Sequence, residues 1–297
     1  MKSQVINKAK EFIKSNAREL DKTLYEYLFE RGSRDRVLNE LKNYQNADFG
    51  FGNALEPDMR TNNSSAIATT LAFQYFERLN IDKLPDFLND SLNYFINTFD
   101  EERNMWRAIT LAANKSAHAP WWNFDLENDK TGFDLTWGNP SAEIIGYLLK
   151  YKNNFDKVNL ERILGFAKDR LLNSQDMEYH ELLCYKRLNK VLVESGDKSL
   201  SKKLGELILK SVDLDSSNWD NYVPMPINFI DSENDQYYEL LNDSYKENLE
   251  WLVLKQENDG GWYPSWSWYG DYDSEWEAAK IEWAGYITLN NLVKLGE

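Results

Sequence analysis

Two carboxylates and a guanidinium lie close together in the stretch 56–60, EPDMR, just before a long segment without charges. Charged groups beside a buried element are costly unless they are paired. Burial disfavours the ionised form of a carboxyl group, so Glu56 or Asp58 could act as a general acid while Arg60 keeps the other carboxylate ionised. The alternative is a structural ion pair that also caps a helix starting near Thr61.

The chain has only two histidines, His118 and His180. His118 lies in a Pro-Trp-Trp loop, and His180 opens an apolar helical segment beside Glu181. Imidazole and carboxylate groups suit acid–base chemistry near neutral pH, and we take all three as candidate catalytic residues. The alternative is that each imidazole satisfies buried backbone groups. Two histidines and a carboxylate are a weak metal signal, so no metal or other cofactor is predicted.

Tryptophan is unusually frequent, with 11 residues in the chain. Trp266 and Trp268 alternate in a predicted extended loop, so their rings should point the same way. Together with Trp121 and Trp122 they are candidate substrate-binding rings, able to stack on sugars or to stabilise a cation. The alternative is packing in the core, to which we assign Trp262, Trp276 and Trp283.

The elements that must position these groups are helices. Apolar residues recur at helical spacing over 160–171, over 238–252 and over 276–290, and no alternating strand pattern is apparent. Amphipathic helices are expected over 35–44, 85–99 and 160–173, whereas 64–73 carries no charge and 141–149 carries only Glu143. A helix that is apolar all round must be buried on all sides. Half-buried and fully buried helices in alternation predict helical hairpins stacked in two concentric layers.

A short pattern recurs at two helix junctions. Residues 45–51 and 256–262 both read Gln-x-x-Asp-x-Gly-aromatic, and 100–106 has the aromatic Trp106 without the glycines. We expect the glutamine to bind carbonyl groups at the helix end and the Asp and Gly to form the turn. The aromatic ring should then fill the space between neighbouring helical hairpins. A pattern repeated at helix junctions indicates a repeat architecture.

This pattern resembles the QW repeat of the squalene cyclase and protein prenyltransferase superfamily. The chain is most similar to a group of bacterial proteins of unassigned function within it, on the stretches 56–60, 118–122, 139–144, 180–185 and 262–268. The resemblance implies an all-α fold, an α/α toroid of about 10–13 helices. Such toroids host unrelated chemistries, so the activity does not follow from the fold.

The chemical motifs of that superfamily are missing. The chain has no Asp-x-Asp-Asp acid motif, no Asp-Asp-x-x-Asp magnesium motif, and no Asp–Cys pair at the spacing of the prenyltransferase zinc site. The chemistry of the superfamily therefore cannot be transferred residue by residue.

Composition excludes several classes of function. Lys and Arg total 34 against 49 Asp and Glu, a net charge of −15, which opposes binding to nucleic acid or to an anionic membrane. No apolar run approaches the ~20 residues of a membrane span, and residues 1–20 lack the apolar core of a secretory signal. The single cysteine excludes a disulfide framework and fits the cytoplasm. Since no low-complexity linker is apparent, we expect one domain over 1–297.

Three functions remain. The first is an enzyme that uses the acid–base residues in a central cavity on a small or isoprenoid-like molecule. The second is a carbohydrate-active hydrolase or lyase with tryptophan platforms and paired carboxylates. The third is a non-catalytic binding module. An apolar cavity favours the first, a polar cleft with exposed Trp the second, and a filled centre the third.

Overall fold

The computed structural model describes residues 2–151 and 159–296. Within them it contains twelve α-helices and four strands of two residues each, so the all-α prediction is confirmed. The chain forms two compact units, one made of Met1–Asn43 with Val212–Glu297 and the other of Tyr44–Ser211. The single domain and the toroid arrangement stay predictions.

The first unit combines both ends of the sequence. Helices α1, α2 and α12 pack against one another, α3 packs on α2, and α10 packs on α11. Their bounds are α1 Lys2–Asn16, α2 Glu19–Phe29, α3 Arg34–Lys42, α10 Pro226–Phe229, α11 Tyr238–Leu254 and α12 Asp273–Lys294.

The second unit is built around α6, which packs against α4, α5, α7 and α8. The bounds are α4 Ala66–Glu77, α5 Asp86–Thr98, α6 Gly138–Lys150, α7 Leu160–Asn173, α8 Tyr179–Glu194 and α9 Ser201–Ser211. Nearly every residue of α4 and α6 is buried, as their lack of charge predicts. The bounds of α7 match the expected helix because Asn159 caps it, accepting a hydrogen bond from the Arg162 amide.

Two small hairpins were not expected. Strands β1 (Phe99–Asp100) and β2 (Met105–Trp106) pair antiparallel, as do β3 (Phe124–Asp125) and β4 (Lys130–Thr131). Strands of two residues are too short to show the alternation that reveals a strand in a sequence. Turn side chains hold them instead: Asp100 accepts from the Arg103 amide at 2.9 Å, and Asp125 accepts from the Asn128 amide at 3.1 Å.

The repeated pattern adopts the same hydrogen bonds in both units. The amide of Phe51 donates to the Thr69 hydroxyl on α4, and the amide of Trp262 donates to the Thr288 hydroxyl on α12, both at 3.0 Å. The segment 100–106 does the same, since the Trp106 amide donates to Ser141 on α6 at 3.0 Å. In each case a hydroxyl of the following helix satisfies an amide that burial would leave without water.

The glutamine of the pattern binds other partners than expected. The Gln45 amide group donates to the carbonyl of Phe49 and to that of Phe87 on α5, and Gln256 donates equivalently to Gly260 and to Val5 on α1. It therefore ties its own turn to a neighbouring helix rather than capping the helix that precedes it.

The shared glycine serves close packing. A Cβ at Gly50 would lie 2.6 Å from the Ser64 Cβ and from the Tyr94 ring, and a Cβ at Gly261 would lie 2.8 Å from the Phe12 ring. The positive φ of the turn occurs one residue earlier, at Phe49 and Gly260. The shared glycine forms the turn with the aspartate through its amide, which donates to Asp48 in one copy and to Asp259 in the other, and its lack of a side chain lets a ring approach the backbone.

Within the described residues, no helix is long and apolar enough to cross a membrane.

Candidate functional site

Two distant stretches of the second unit meet through backbone pairing. Met59 and His118 form an antiparallel bridge. On either side of it the Arg60 amide donates to the Ala117 carbonyl at 2.9 Å, and the Ala119 amide donates to the Asp58 carbonyl at 2.8 Å. The predicted residues Glu56, Asp58, Arg60 and His118 therefore belong to one local structure, which we call the 56–60/118 segment.

The ionisable groups of this segment are buried. Glu56 is 8% exposed, Asp58 2% and His118 8%, while Arg60 is half-buried. The Glu56 carboxylate accepts from the Asp58 amide at 3.3 Å, and the Arg60 guanidinium lies 3.4 Å from the Pro57 carbonyl. Burial of two carboxylates within three residues is expensive, so the segment needs a reason to retain them.

Helix capping is not that reason. The next helix, α4, begins at Ala66, and its cap is Ser65, whose hydroxyl accepts from the Ala68 amide at 3.2 Å. The helix expected near Thr61 is absent, so the structural alternative of a cap formed by Glu56 or Asp58 is wrong.

The His118 ring has a defined orientation. Its Nδ1 lies 2.6 Å from the Ser116 carbonyl oxygen. Because a carbonyl can only accept, Nδ1 carries the proton, which leaves the lone pair of the neutral ring on Nε2. Nε2 is therefore the ring atom that can take up a proton.

His180 and Glu181 start α8 but have different environments. His180 is half-buried, and its Nδ1 lies 2.6 Å from Glu178, which also caps α8 through the His180 and Glu181 amides. Burial raises the pKa of Glu178, but its hydrogen bond to His180 and the imidazole's charge outweigh burial, so the net pKa is lowered. Glu181 is 2% exposed and accepts from Arg170 Nε and from the Gly138 amide, both at 2.8 Å. These contacts give Glu181 a structural role.

The four tryptophans proposed to bind substrate differ in exposure. In the second unit, Trp121 is half-buried, and Trp122 is buried and stacked on Phe133 at 4.5 Å. In the first unit, Trp266 is half-buried against Trp283, and Trp268 is fully buried against Trp276. Trp262, assigned to the core, is buried as expected, whereas Trp276 and Trp283 are only half-buried.

A second polar cluster lies around Glu143, which is 1% exposed. One carboxylate oxygen accepts from Gln74 at 2.9 Å and from the Tyr147 hydroxyl, and the other accepts from Arg187 at 3.1 Å and lies 3.6 Å from the Cys184 sulfur. We call this group the Glu143 cluster. The carboxylate therefore contacts four side chains from α4, α6 and α8.

The Glu143 cluster holds its neighbours in their neutral forms. Burial, and next the charge of Glu143, raise the pKa of the Cys184 thiol and that of the Tyr147 hydroxyl well above their usual values. A thiol that stays protonated is a poor nucleophile and a poor metal ligand. Both oxygens of Glu143 are already satisfied, so the cluster stabilises the packing of three helices. Its signal in the sequence was a lone charge on an otherwise apolar helix.

Among residues 2–151 and 159–296, no group of three or more His, Cys, Asp or Glu side chains is placed to hold a metal ion. No family model matches the chain, and comparisons with curated proteins and with solved structures give no significant match either.

Proposed function

We propose that the protein is an enzyme that carries out acid–base chemistry on a small, largely apolar, isoprenoid-like molecule, and that the 56–60/118 segment is its catalytic site. The observation that carries the proposal is the Met59–His118 backbone bridge, which pairs the stretch carrying two buried carboxylates with the stretch carrying a buried imidazole. Buried ionisable groups with charged neighbours are candidates for a functional site.

The roles follow from burial and orientation. Asp58, the more buried carboxyl group, is the proton donor, and Arg60 is the cation of the same segment. His118 takes up or relays a proton at Nε2, because Nδ1 is held by the Ser116 carbonyl. The reaction is a proton transfer to and from an alkene carbon or an alcohol oxygen. We place the protein in the cytoplasm, as its cysteine content and charge predict.

The substrate class rests on the resemblance to the α/α-toroid superfamily. The same amide-to-hydroxyl hydrogen bond at Phe51, Trp106 and Trp262 supports the repeat behind that resemblance. We propose the toroid arrangement on the same grounds. The burial of Trp122 and Trp268 weighs against the carbohydrate-active alternative, since stacking on sugars needs exposed ring faces.

The test is conversion of farnesol, geranylgeraniol and squalene, with products detected by mass spectrometry. We expect turnover of at least one compound, and a loss of about 100-fold or more in Asp58→Asn, because general acids contribute at least that much. Asp82→Asn is the matched control, since Asp82 is exposed in a loop of the same unit. Turnover of none of the three compounds would overturn the substrate class, and turnover that survives Asp58→Asn would overturn the role of Asp58.

A further inference from the structure

The second unit contains a pocket of about 500 Å³ beside the β3–β4 hairpin. This volume lies within the usual range for small-molecule sites, about 300–1,000 Å³. Most of the wall is apolar, and the apolar side chains that line it are those of Ala66, Ile109, Leu111, Phe124 and Leu126. The pocket can therefore enclose the apolar body of a small ligand.

One hydrogen-bond donor in this wall has no acceptor. Arg107 lines the pocket, and its Nε atom is buried without a hydrogen-bond partner in the part of the chain that the structure describes. The other two nitrogens of the guanidinium are used, since Nη1 donates to the Asp129 carboxylate at 2.8 Å and Nη2 donates to the Asp129 carbonyl. A buried donor without an acceptor is unfavourable, so a ligand that supplies an acceptor gains affinity.

A carboxylate lies beside this donor. Asp100 also lines the pocket, and its Oδ2 atom lies 3.8 Å from Arg107 Nε, which is too far for a hydrogen bond. Oδ2 accepts from Arg103 Nη1 at 2.9 Å, and a carboxylate oxygen can accept a second hydrogen bond. A donor and an acceptor therefore lie side by side in the wall. A carboxamide matches them, because its C=O accepts and its N–H donates along one edge.

The charges around this donor and acceptor disfavour an anionic ligand. The two guanidinium groups lie within 4 Å of three carboxylates, those of Asp100, Asp129 and Asp134. An oxygen bound at Arg107 Nε would lie close to Asp100. A negatively charged oxygen would be repelled there, whereas a neutral carbonyl oxygen would not.

We propose that this pocket binds an uncharged small molecule with an apolar body and a carboxamide group, whose C=O accepts from Arg107 Nε and whose N–H donates to Asp100 Oδ2. The apolar wall holds the body of the ligand. The half-buried Arg107 side chain turns on binding to present Nε, which lies beneath the surface of the wall. The proposal does not depend on acid–base chemistry at the 56–60/118 segment.

The test uses four probes with the same aromatic body: 2-naphthamide, 2-acetonaphthone, 2-methylnaphthalene and 2-naphthoate. Binding is measured by titration of the leucine and isoleucine methyl resonances of the intact protein. We expect 2-naphthamide to bind at least about five-fold more tightly than 2-acetonaphthone, which lacks the N–H donor, and more tightly still than the other two probes. Shifts should be largest at Ile109, Leu111 and Leu126.

Arg107→Lys is the most informative variant, because lysine keeps the positive charge beside Asp129 but has no Nε donor of the arginine kind. It should weaken 2-naphthamide about five-fold and leave 2-methylnaphthalene unchanged. The matched control is Arg103→Lys, which should weaken neither probe, since Arg103 also binds Asp129 but does not line the pocket. Leu126→Glu, in the pocket wall, should weaken both probes, and Leu135→Glu, outside it, should weaken neither.

Three results would overturn the proposal: no binding of 2-naphthamide, equal binding of 2-naphthamide by the parent protein and by Arg107→Lys, or a preference for 2-naphthoate or 2-acetonaphthone. Binding of 2-naphthamide should survive Asp58→Asn, because Asp58 does not line the pocket. The failure of this proposal is therefore distinguishable from the failure of the proposed catalytic site.

Discussion

Arg187→Met is expected to lower the free energy of unfolding by about 3 kcal/mol, at the lower end of the usual cost of removing one partner from a buried ion pair, because the Arg187 side chain is 35% exposed and partly screened by water. Arg187 is the only cation hydrogen-bonded to the buried Glu143 carboxylate among the contacts the structure describes. Methionine keeps the aliphatic part of the arginine side chain, so the loss reports the charge rather than packing. Thermal unfolding followed by circular dichroism should show a Tm lower by about 6–12 °C.

The double variant Glu143→Gln with Arg187→Met is the control. A neutral amide at position 143 can still accept from Gln74 and Tyr147, so we expect it to recover at least half of the loss. A change below about 1 kcal/mol in Arg187→Met would mean that water, rather than Arg187, stabilises Glu143.

Trp262→Ala should cost about 3–5 kcal/mol, because it removes a large buried ring and leaves a cavity. Trp262 is 5% exposed, and its indole N–H donates to the Leu252 carbonyl at 3.0 Å. Urea unfolding should show the loss as a lower midpoint at an unchanged slope.

The matched variant is Trp262→Phe, since Phe51 fills the equivalent position of the other unit and is fully buried there. This variant keeps the hydrogen bond from the backbone amide of residue 262 to the Thr288 hydroxyl, and it loses only the indole hydrogen bond and part of the ring. We therefore expect the free energy of unfolding to fall by about 1–2 kcal/mol. If phenylalanine is as harmful as alanine, the indole N–H matters more than the ring.

Local features of the fold could be predicted from the sequence. Helical spacing predicts α7 at the bounds that the structure shows, and the absence of charge predicts the burial of α4 and α6. The repeated pattern predicts a recurrent turn, and the structure shows matching hydrogen bonds at Phe51 and Trp262. These features depend on residues close together in the chain, where periodicity and turn chemistry act.

Long-range pairing could not be predicted. The bridge between Met59 and His118 depends on backbone groups, which leave no pattern in the residue types. The Glu143 cluster includes Gln74, which lies 69 positions from Glu143 in the chain, so the lone charge at Glu143 indicates that partners exist but not which ones they are. The prediction that His180 and Glu181 belong with the other candidates rested on residue type alone. Residue type does not reveal that His180 contacts Glu178 or that Glu181 binds Arg170.

The central claim is that Asp58 is retained for chemistry rather than for stability. The most direct test compares Tm in Asp58→Asn and Glu181→Gln, because both carboxylates are 2% exposed and Glu181 is bound by Arg170 and the Gly138 amide. Groups kept for function commonly reduce stability. We predict that Glu181→Gln lowers Tm by about 4–8 °C, whereas Asp58→Asn leaves it unchanged or higher. An equal loss in both variants would contradict the account and make the 56–60/118 segment architectural.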